Sequence, residues 1–237
     1  SYSSGGSNNY SMSFDGVDDY ASLGDIDFIN SGQQNEYTIS CWLKVDDLTF
    51  NNGPDIFIFG DEVNQNNGVM LSLVNYQGGG IAISCTSPPT GYINASIYTG
   101  FYPNQGVWCN VVLQQDANGI NFYVNGQLYQ QYNGYTNSDN TDDFRIGAFT
   151  NLGNISRELL GQLDDLQIWD YALSQQEIQD YMQCPPNGHE LGLVAYWNFE
   201  EGNGLTAYDQ TVNGNDGTIN GATYDGNVPS QSCNLTN

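Results

Sequence analysis

The sequence predicts an all-β fold: a two-sheet antiparallel sandwich with one short C-terminal helix and a small β appendage. Three observations carry this. Apolar residues alternate with period two along most of the 237-residue chain, Asn-Gly turn signals punctuate it, and one helical pattern with clear start signals stands out. An α/β enzyme would need many helices alternating with strands.

Taken in order, Tyr37, Ile39, Cys41, Leu43 and Val45 point one way, and Thr38, Ser40, Trp42 and Lys44 the other. The run 56–59 is apolar throughout. Val69, Leu71 and Leu73 repeat the alternation, as do Val107, Cys109, Val111 and Leu113. Residues 120–124 turn back at Asn125-Gly126, a dipeptide suited to a type I′ turn because both positions need φ > 0. Asn52-Gly53, Asn67-Gly68 and Asn118-Gly119 supply further turns. Trp42, Trp108, Trp169 and Trp197 lie in alternating strands and read as core. The segment 161–174, GQLDDLQIWDYALS, is a strand that runs into a helix over 174–182. Ser174 is its N-cap, Glu177 closes a capping box, and Leu173 and Ile178 form the hydrophobic staple.

Residues 1–183 read as the jelly-roll domain and 184–237 as a second segment bracketed by Cys184 and Cys233. Its short strands either form an appendage, complete the main sheets or begin a further repeat. The Pro185-Pro186 pair favours a boundary near residue 184.

Twenty-seven acids face three bases, Lys44, Arg145 and Arg157, for a formal charge of −24. That argues against nucleic acid and anionic membrane surfaces, which require a basic patch. No stretch approaches the roughly 20 apolar residues of a membrane helix. The opening SYSSGGSNNY has no signal-peptide pattern and reads as the start of a mature or excised module. Of the five cysteines, Cys184 and Cys233 sit in polar surroundings suited to a disulfide. Cys41 and Cys109 lie in apolar strands as small hydrophobes, and the pairing of Cys41, Cys85 and Cys109 stays open. The expected location is extracellular, secreted or at the cell surface.

Asp164 and Asp165 are adjacent in an apolar strand. Such a pair repels, loses hydration and calls for a cation or several donors. With so few bases, a hard cation taking oxygen ligands is the first expectation.

Several segments resemble a laminin-G-like, concanavalin A-type jelly-roll module of secreted bacterial proteins. They are SMSFDGVDDYASLG (11–24), YTISCWLKV (37–45), VWCNVVLQQDANGINFYVNGQLY (107–129), FRIGA (144–148) and GQLDDLQIWDYALSQQEI (161–178). The tail LVAYWNFEEGNG with its YDQTVNGNDGTINGATY stretch is similar to what usually precedes an FDGVDDY-type strand in that family. The resemblance implies a structural calcium between the FDGVDDY turn and the closing strand, held by Asp18, Asp19, Asp164 and Asp165 with carbonyls near Gly16. It also implies lectin, adhesion or glycanase roles, since the fold hosts all three.

Carbohydrate recognition needs exposed rings beside amides and acids. Tyr76, Tyr92, Tyr98, Phe101, Tyr102, Tyr132 and Tyr135 are candidates in or beside Gly/Asn-rich loops. Asp61, Asn66 and Asn67 in the loop 60–68 are candidates for a sugar or a second calcium. Catalysis fits poorly. His189 has no nucleophile to serve, no Glu-x-Asp-x-x-Glu strand occurs, and the adjacent pairs Glu200/Glu201 and Asp164/Asp165 should leave opposite strand faces. The expected function is a non-catalytic, calcium-stabilised carbohydrate-binding module, monomeric within a larger multidomain chain, whose partner is a polysaccharide or surface glycan. The alternative is an adhesion or spacer module.

Overall fold

A computed structural model describes residues 9–26, 36–49, 55–61, 69–75, 79–87, 92–137, 143–151 and 154–233. The first half builds β1 (Ser11–Asp15), β2 (Tyr20–Ser22), β3 (Tyr37–Val45), β4 (Asp55–Asp61), β5 (Met70–Val74), β6 (Gly80–Ser87) and β7 (Tyr92–Tyr98). Next come β8 (Cys109–Asp116), β9 (Gly119–Val124), β10 (Gln127–Asn133), β11 (Phe144–Ile146), β12 (Phe149–Asn151), β13 (Asn154–Ser156) and β14 (Leu160–Trp169). The helix α1 (Gln175–Gln183) precedes β15 (Leu193–Trp197), β16 (Thr206–Ala207), β17 (Gly217–Asn220) and β18 (Thr223–Asp225).

Two eight-stranded antiparallel sheets result, as expected for the jelly roll. One runs β10-β9-β8-β3-β14-β1-β18 with β15 also on β14; the other runs β16-β17-β2-β11-β4-β5-β6-β7. The alternation of β3 explains how they meet. Tyr37, Ile39, Cys41, Leu43 and Val45 are fully buried in the central core. The opposite face of the same sheet is covered too. There Val112, Tyr123, Trp169 and Tyr196 form a second cluster with Leu173 and Ile178, the expected staple pair of α1. Trp42, Trp169 and Trp197 are buried, whereas Trp108 is half-buried and donates through Nε1 to Asn227 at 3.2 Å.

Local signals in the sequence account for the ends of these elements. Ser174 caps α1, its side chain accepting from the Glu177 amide while the Glu177 carboxylate accepts from the Ser174 amide. At the β9–β10 turn, Asn125 has φ 49° and Gly126 φ 72°, the left-handed pair that a type I′ turn requires.

The tail corrects the expected boundary at residue 184. β15 pairs with β14, β17 with β2 and β18 with β1, so the segment after α1 adds strands to both sheets. Of the three alternatives, the tail completes the main sandwich from the C-terminal side. Buried Asp209 shapes its long turn by accepting from the amides of Tyr196, Thr211 and Asn215 at 2.9–3.1 Å. The Cys184–Cys233 disulfide closes the excursion at its base, with the two Cα atoms 4.6 Å apart. Cys41, Cys85 and Cys109 are buried thiols outside any disulfide.

Candidate functional site

β14 changes partner partway along one edge. Its first half pairs with β1 (Met12 opposite Leu163) and its second half with β15 (Leu166 opposite Trp197). Asp164 and Asp165 fall in the gap between these two partners. On the other edge, the register with β3 slips between Asp164 and Gln167, and Asp165 takes φ 49°. This bulge interrupts the period of two. Leu163 and Leu166 both enter the central core, and both acids between them project from the outer face. The expectation that they leave opposite faces is thereby overturned: alternation holds only in an unbroken ladder.

Both carboxylates are buried, at 3% and 6% exposure. Asp165 accepts from the Tyr196 hydroxyl at 2.6 Å and from Gln231 Nε2 at 2.7 Å; Asp164 Oδ1 accepts from the Asp165 amide at 2.9 Å. Burial, then the neighbouring Asp165 and Glu200 charges, push the Asp164 carboxyl well above the usual range. Burial also raises Asp165, against the bonds from Tyr196 and Gln231, and raises Glu200. The three bases are engaged elsewhere: Lys44 with Asp46 at 2.8 Å, Arg157 with Asp55 at 3.3 Å and Arg145 beside Asp143 at 3.9 Å. A solvent-open cavity of about 430 Å³ sits over the gap, lined by Asn9, Asp165, Tyr196, Asn198, Glu200 and Gln231.

The entry turn is a separate acidic group. Asp15, Asp18 and Asp19 bring carboxylate oxygens within 4.8 Å of one another. Asp15 and Asp18 are exposed; buried Asp19 accepts from the Asp15 amide at 2.9 Å. Burial raises the Asp19 carboxyl, helped by the Asp15 and Asp18 charges. Asp15 lies opposite Leu160, four residues from Asp164 along β14, or about 13 Å of strand. Asp18 and Asp19 thus group with Asp15, while Asp164 and Asp165 neighbour Glu200. Sequence reasoning missed Asp15 and Glu200 as their companions. Glu200 does stand out in the sequence, beside Trp197 in the tail motif.

The aromatic candidates also divide. Tyr102 is 43% exposed, while Tyr132 and Tyr135 pack against the core. Tyr98 is half-buried at the end of β7. The backbones of Tyr92 and Asp61 lie in β7 and β4. Tyr76, Asn66 and Asn67 lie outside the described residues. Two exposed rings that the sequence reading overlooked are Tyr208, in the tail, and Tyr129, at 47% exposure. Register between β10 and β9 slips from Leu128 to Gln130, leaving Tyr129 as the extra residue of a bulge. Its ring meets Phe101 edge-on at 5.4 Å and Phe122 at 6.2 Å. Partly buried Phe101 precedes exposed Tyr102, which places a second half-exposed tyrosine on the neighbouring loop.

A family model described as the concanavalin A-like lectin/glucanases superfamily, of laminin G type, matches residues 15–179. No curated protein sequence matches the chain. Among solved structures, a candidate carbohydrate-binding protein from Bacteroides ovatus aligns with TM-score 0.67 and 16% identity over 96% of this chain. The chain spans 62% of that protein's length. A heptameric SAP-like pentraxin from Limulus polyphemus aligns with TM-score 0.56 and 17% identity, over 82% of this chain and 94% of the pentraxin. Identities this low establish shared fold alone.

Proposed function

Because the chain belongs to the concanavalin A-like lectin/glucanase superfamily, we propose that it is a non-catalytic, calcium-stabilised carbohydrate-binding module of a secreted or cell-surface bacterial protein. The observation that carries the glycan reading is the two half-exposed rings, Tyr102 in the loop after β7 and Tyr129 in the β10 bulge, the latter packed on Phe101 and Phe122. Such rings stack on the apolar faces of sugars while neighbouring amides bond the hydroxyls. The extracellular assignment draws support from the Cys184–Cys233 disulfide.

Calcium is proposed at the strand-partner gap, where the donor set suits it. Asp165 and Glu200 offer carboxylate oxygens and Asn9 and Asn198 amide oxygens around the cavity, with buried Asp164 next to them and the three bases paired elsewhere. When bound, the ion would supply positive charge to desolvated carboxylates and tie β14 to the tail. The Asp15–Asp18–Asp19 turn is a second candidate, its carboxylate oxygens within 4.8 Å of one another, with Asp15 and Asp18 exposed and Asp19 buried. The buried pair is joined to Tyr196 and the tail, an arrangement for holding strands together. A glycosidase would instead set two carboxylates across a scissile bond, about 5–5.5 Å or 6.5–9.5 Å apart.

Calorimetry against a polysaccharide panel, with calcium and with chelator, tests the reading. Binding that survives without reducing-sugar release is expected, as is a melting temperature lowered by chelator and restored by calcium. Absence of binding to every glycan refutes the carbohydrate function. An identical melt with and without chelator, in protein shown to be metal-free, refutes the calcium.

A further inference from the structure

Charge is segregated along this chain. The 76 residues from Val63 to Ser138 contain one charged side chain, Asp116, while the other 26 acids and all three bases lie outside that stretch. The fold gathers the described residues of that stretch at one side. It builds β5, β6 and β7 at one end of the second sheet and β8, β9 and β10 at one end of the first. The two ends are tied together: the Ile81 amide donates to the Phe101 carbonyl at 2.8 Å, Asn137 donates to the Ser84 carbonyl, and Phe101 packs on Phe122 and Tyr129. A protein of net charge −24 thus presents, among the described residues, an edge whose own side chains are uncharged apart from Asp116, with Asp46 bordering it at Gly106.

That edge carries stacking and hydrogen-bonding groups. Along β10, Leu128, Tyr129, Gln130 and Gln131 are exposed, and the neighbouring loop exposes Tyr102, Asn104, Gln105 and Val107. Amides and phenols both donate and accept, which matches hydroxyls and requires no ionic partner. Polyanionic glycans meet the opposing field of the whole molecule. A second copy of the chain meets the same repulsion, and the bulge at Tyr129 blunts strand-to-strand pairing along β10.

Resting on the carbohydrate-binding reading, we infer that the uncharged edge formed by β10 and the loop 99–108 is the glycan-contacting surface, and that its ligand is an uncharged polysaccharide. Tyr102 and Tyr129 stack on its rings, and the amide of Gln130 bonds its hydroxyls.

Calorimetry of the full chain against neutral β-glucan, xylan, arabinan and galactomannan, and against alginate and a sulfated galactan, tests this at low and high salt. Binding to a neutral chain is expected, with affinity constant within about twofold across salt because no ion pairs form. Tyr129→Ala and Tyr102→Ala should each weaken it about tenfold, the scale of a single stacking contact, with the native circular-dichroism spectrum retained. Neutral-glycan binding untouched by both substitutions overturns the surface and leaves the carbohydrate function standing. Salt-sensitive binding to the anionic chains alone overturns the ligand class and likewise leaves that function standing. Binding to no glycan overturns both. A dimer in sedimentation that Tyr129→Ala dissociates assigns the edge to self-association and overturns the inference.

Discussion

Tyr196 donates its hydroxyl to Asp165 over 2.6 Å, joining β14 to the tail that follows α1. From the far end of that tail, Gln231 donates to the other Asp165 oxygen at 2.7 Å and to the Met182 carbonyl at 3.1 Å. One buried carboxylate therefore gathers the closing strand, the helix end and the tail.

Tyr196→Phe isolates that contact. The ring keeps its place in the cluster under α1 while the buried carboxylate loses a donor. Stability should fall by about 1–3 kcal/mol in urea denaturation, the usual cost of an unsatisfied buried polar group. A loss below roughly 0.5 kcal/mol, the spread of neutral surface substitutions, would mean the hydroxyl does not hold Asp165.

The same gap sets a pH dependence in chelated protein. Burial raises the Asp164, Asp165 and Glu200 carboxyls above their unfolded values, which lie near 4. The folded state then binds protons more tightly than the unfolded chain. Its contribution is fully present below about pH 4 and is lost as pH rises through the elevated values. The melting temperature of chelated protein should decline from mildly acidic to alkaline pH, less steeply in Asp164→Asn. Equal slopes in the two proteins would show that Asp164 is not the responsive group.

Much of this architecture was legible in the residues. The alternation at Tyr37–Val45, the Asn125-Gly126 turn and the Ser174/Glu177 box act over a few positions, and each forms as its sequence dictates. The two candidate sites were less legible for one shared reason. Asp165 and Tyr129 both sit at β-bulges, where one extra residue re-aims the side chains that period two would assign. A bulge is decided by the partner strand, which local sequence does not contain. The pairing of β18 with β1 is equally hidden, spanning Ser11 to Asp225. The tail's likeness to a stretch that usually precedes FDGVDDY was the available hint.

Gly147 should tolerate no side chain. It has φ 90°, where an L-residue is strained, and a Cβ there would lie 2.2 Å from the Phe14 ring. Phe14 is itself buried at 2% exposure and cannot swing into solvent. Gly147→Ala combines overpacking with left-handed strain, together roughly 2–4 kcal/mol. Pairing it with Phe14→Leu should recover part of that loss; no recovery would place the penalty in the backbone alone.

The disulfide should matter through the tail it closes. Cys184 and Cys233 are separated by 49 positions, and every strand of that excursion is docked onto the sandwich. Without the bond, the unfolded tail regains loop entropy of about 4 kcal/mol in the chain-entropy account. The folded contacts, including Asp165 with Tyr196 and Gln231, need not change. Cys184→Ser with Cys233→Ser should therefore lower stability by about that amount while preserving the native spectrum. Thiol counting checks the premise independently. Burial pushes Cys85 and Cys109 up to about 12 and Cys41 higher still, so all three should resist alkylation in the native protein. Unfolding without reductant should expose these three thiols and no more, leaving Cys184 and Cys233 unlabelled. Label on either of the latter two would show that the tail is held by its strand pairings alone.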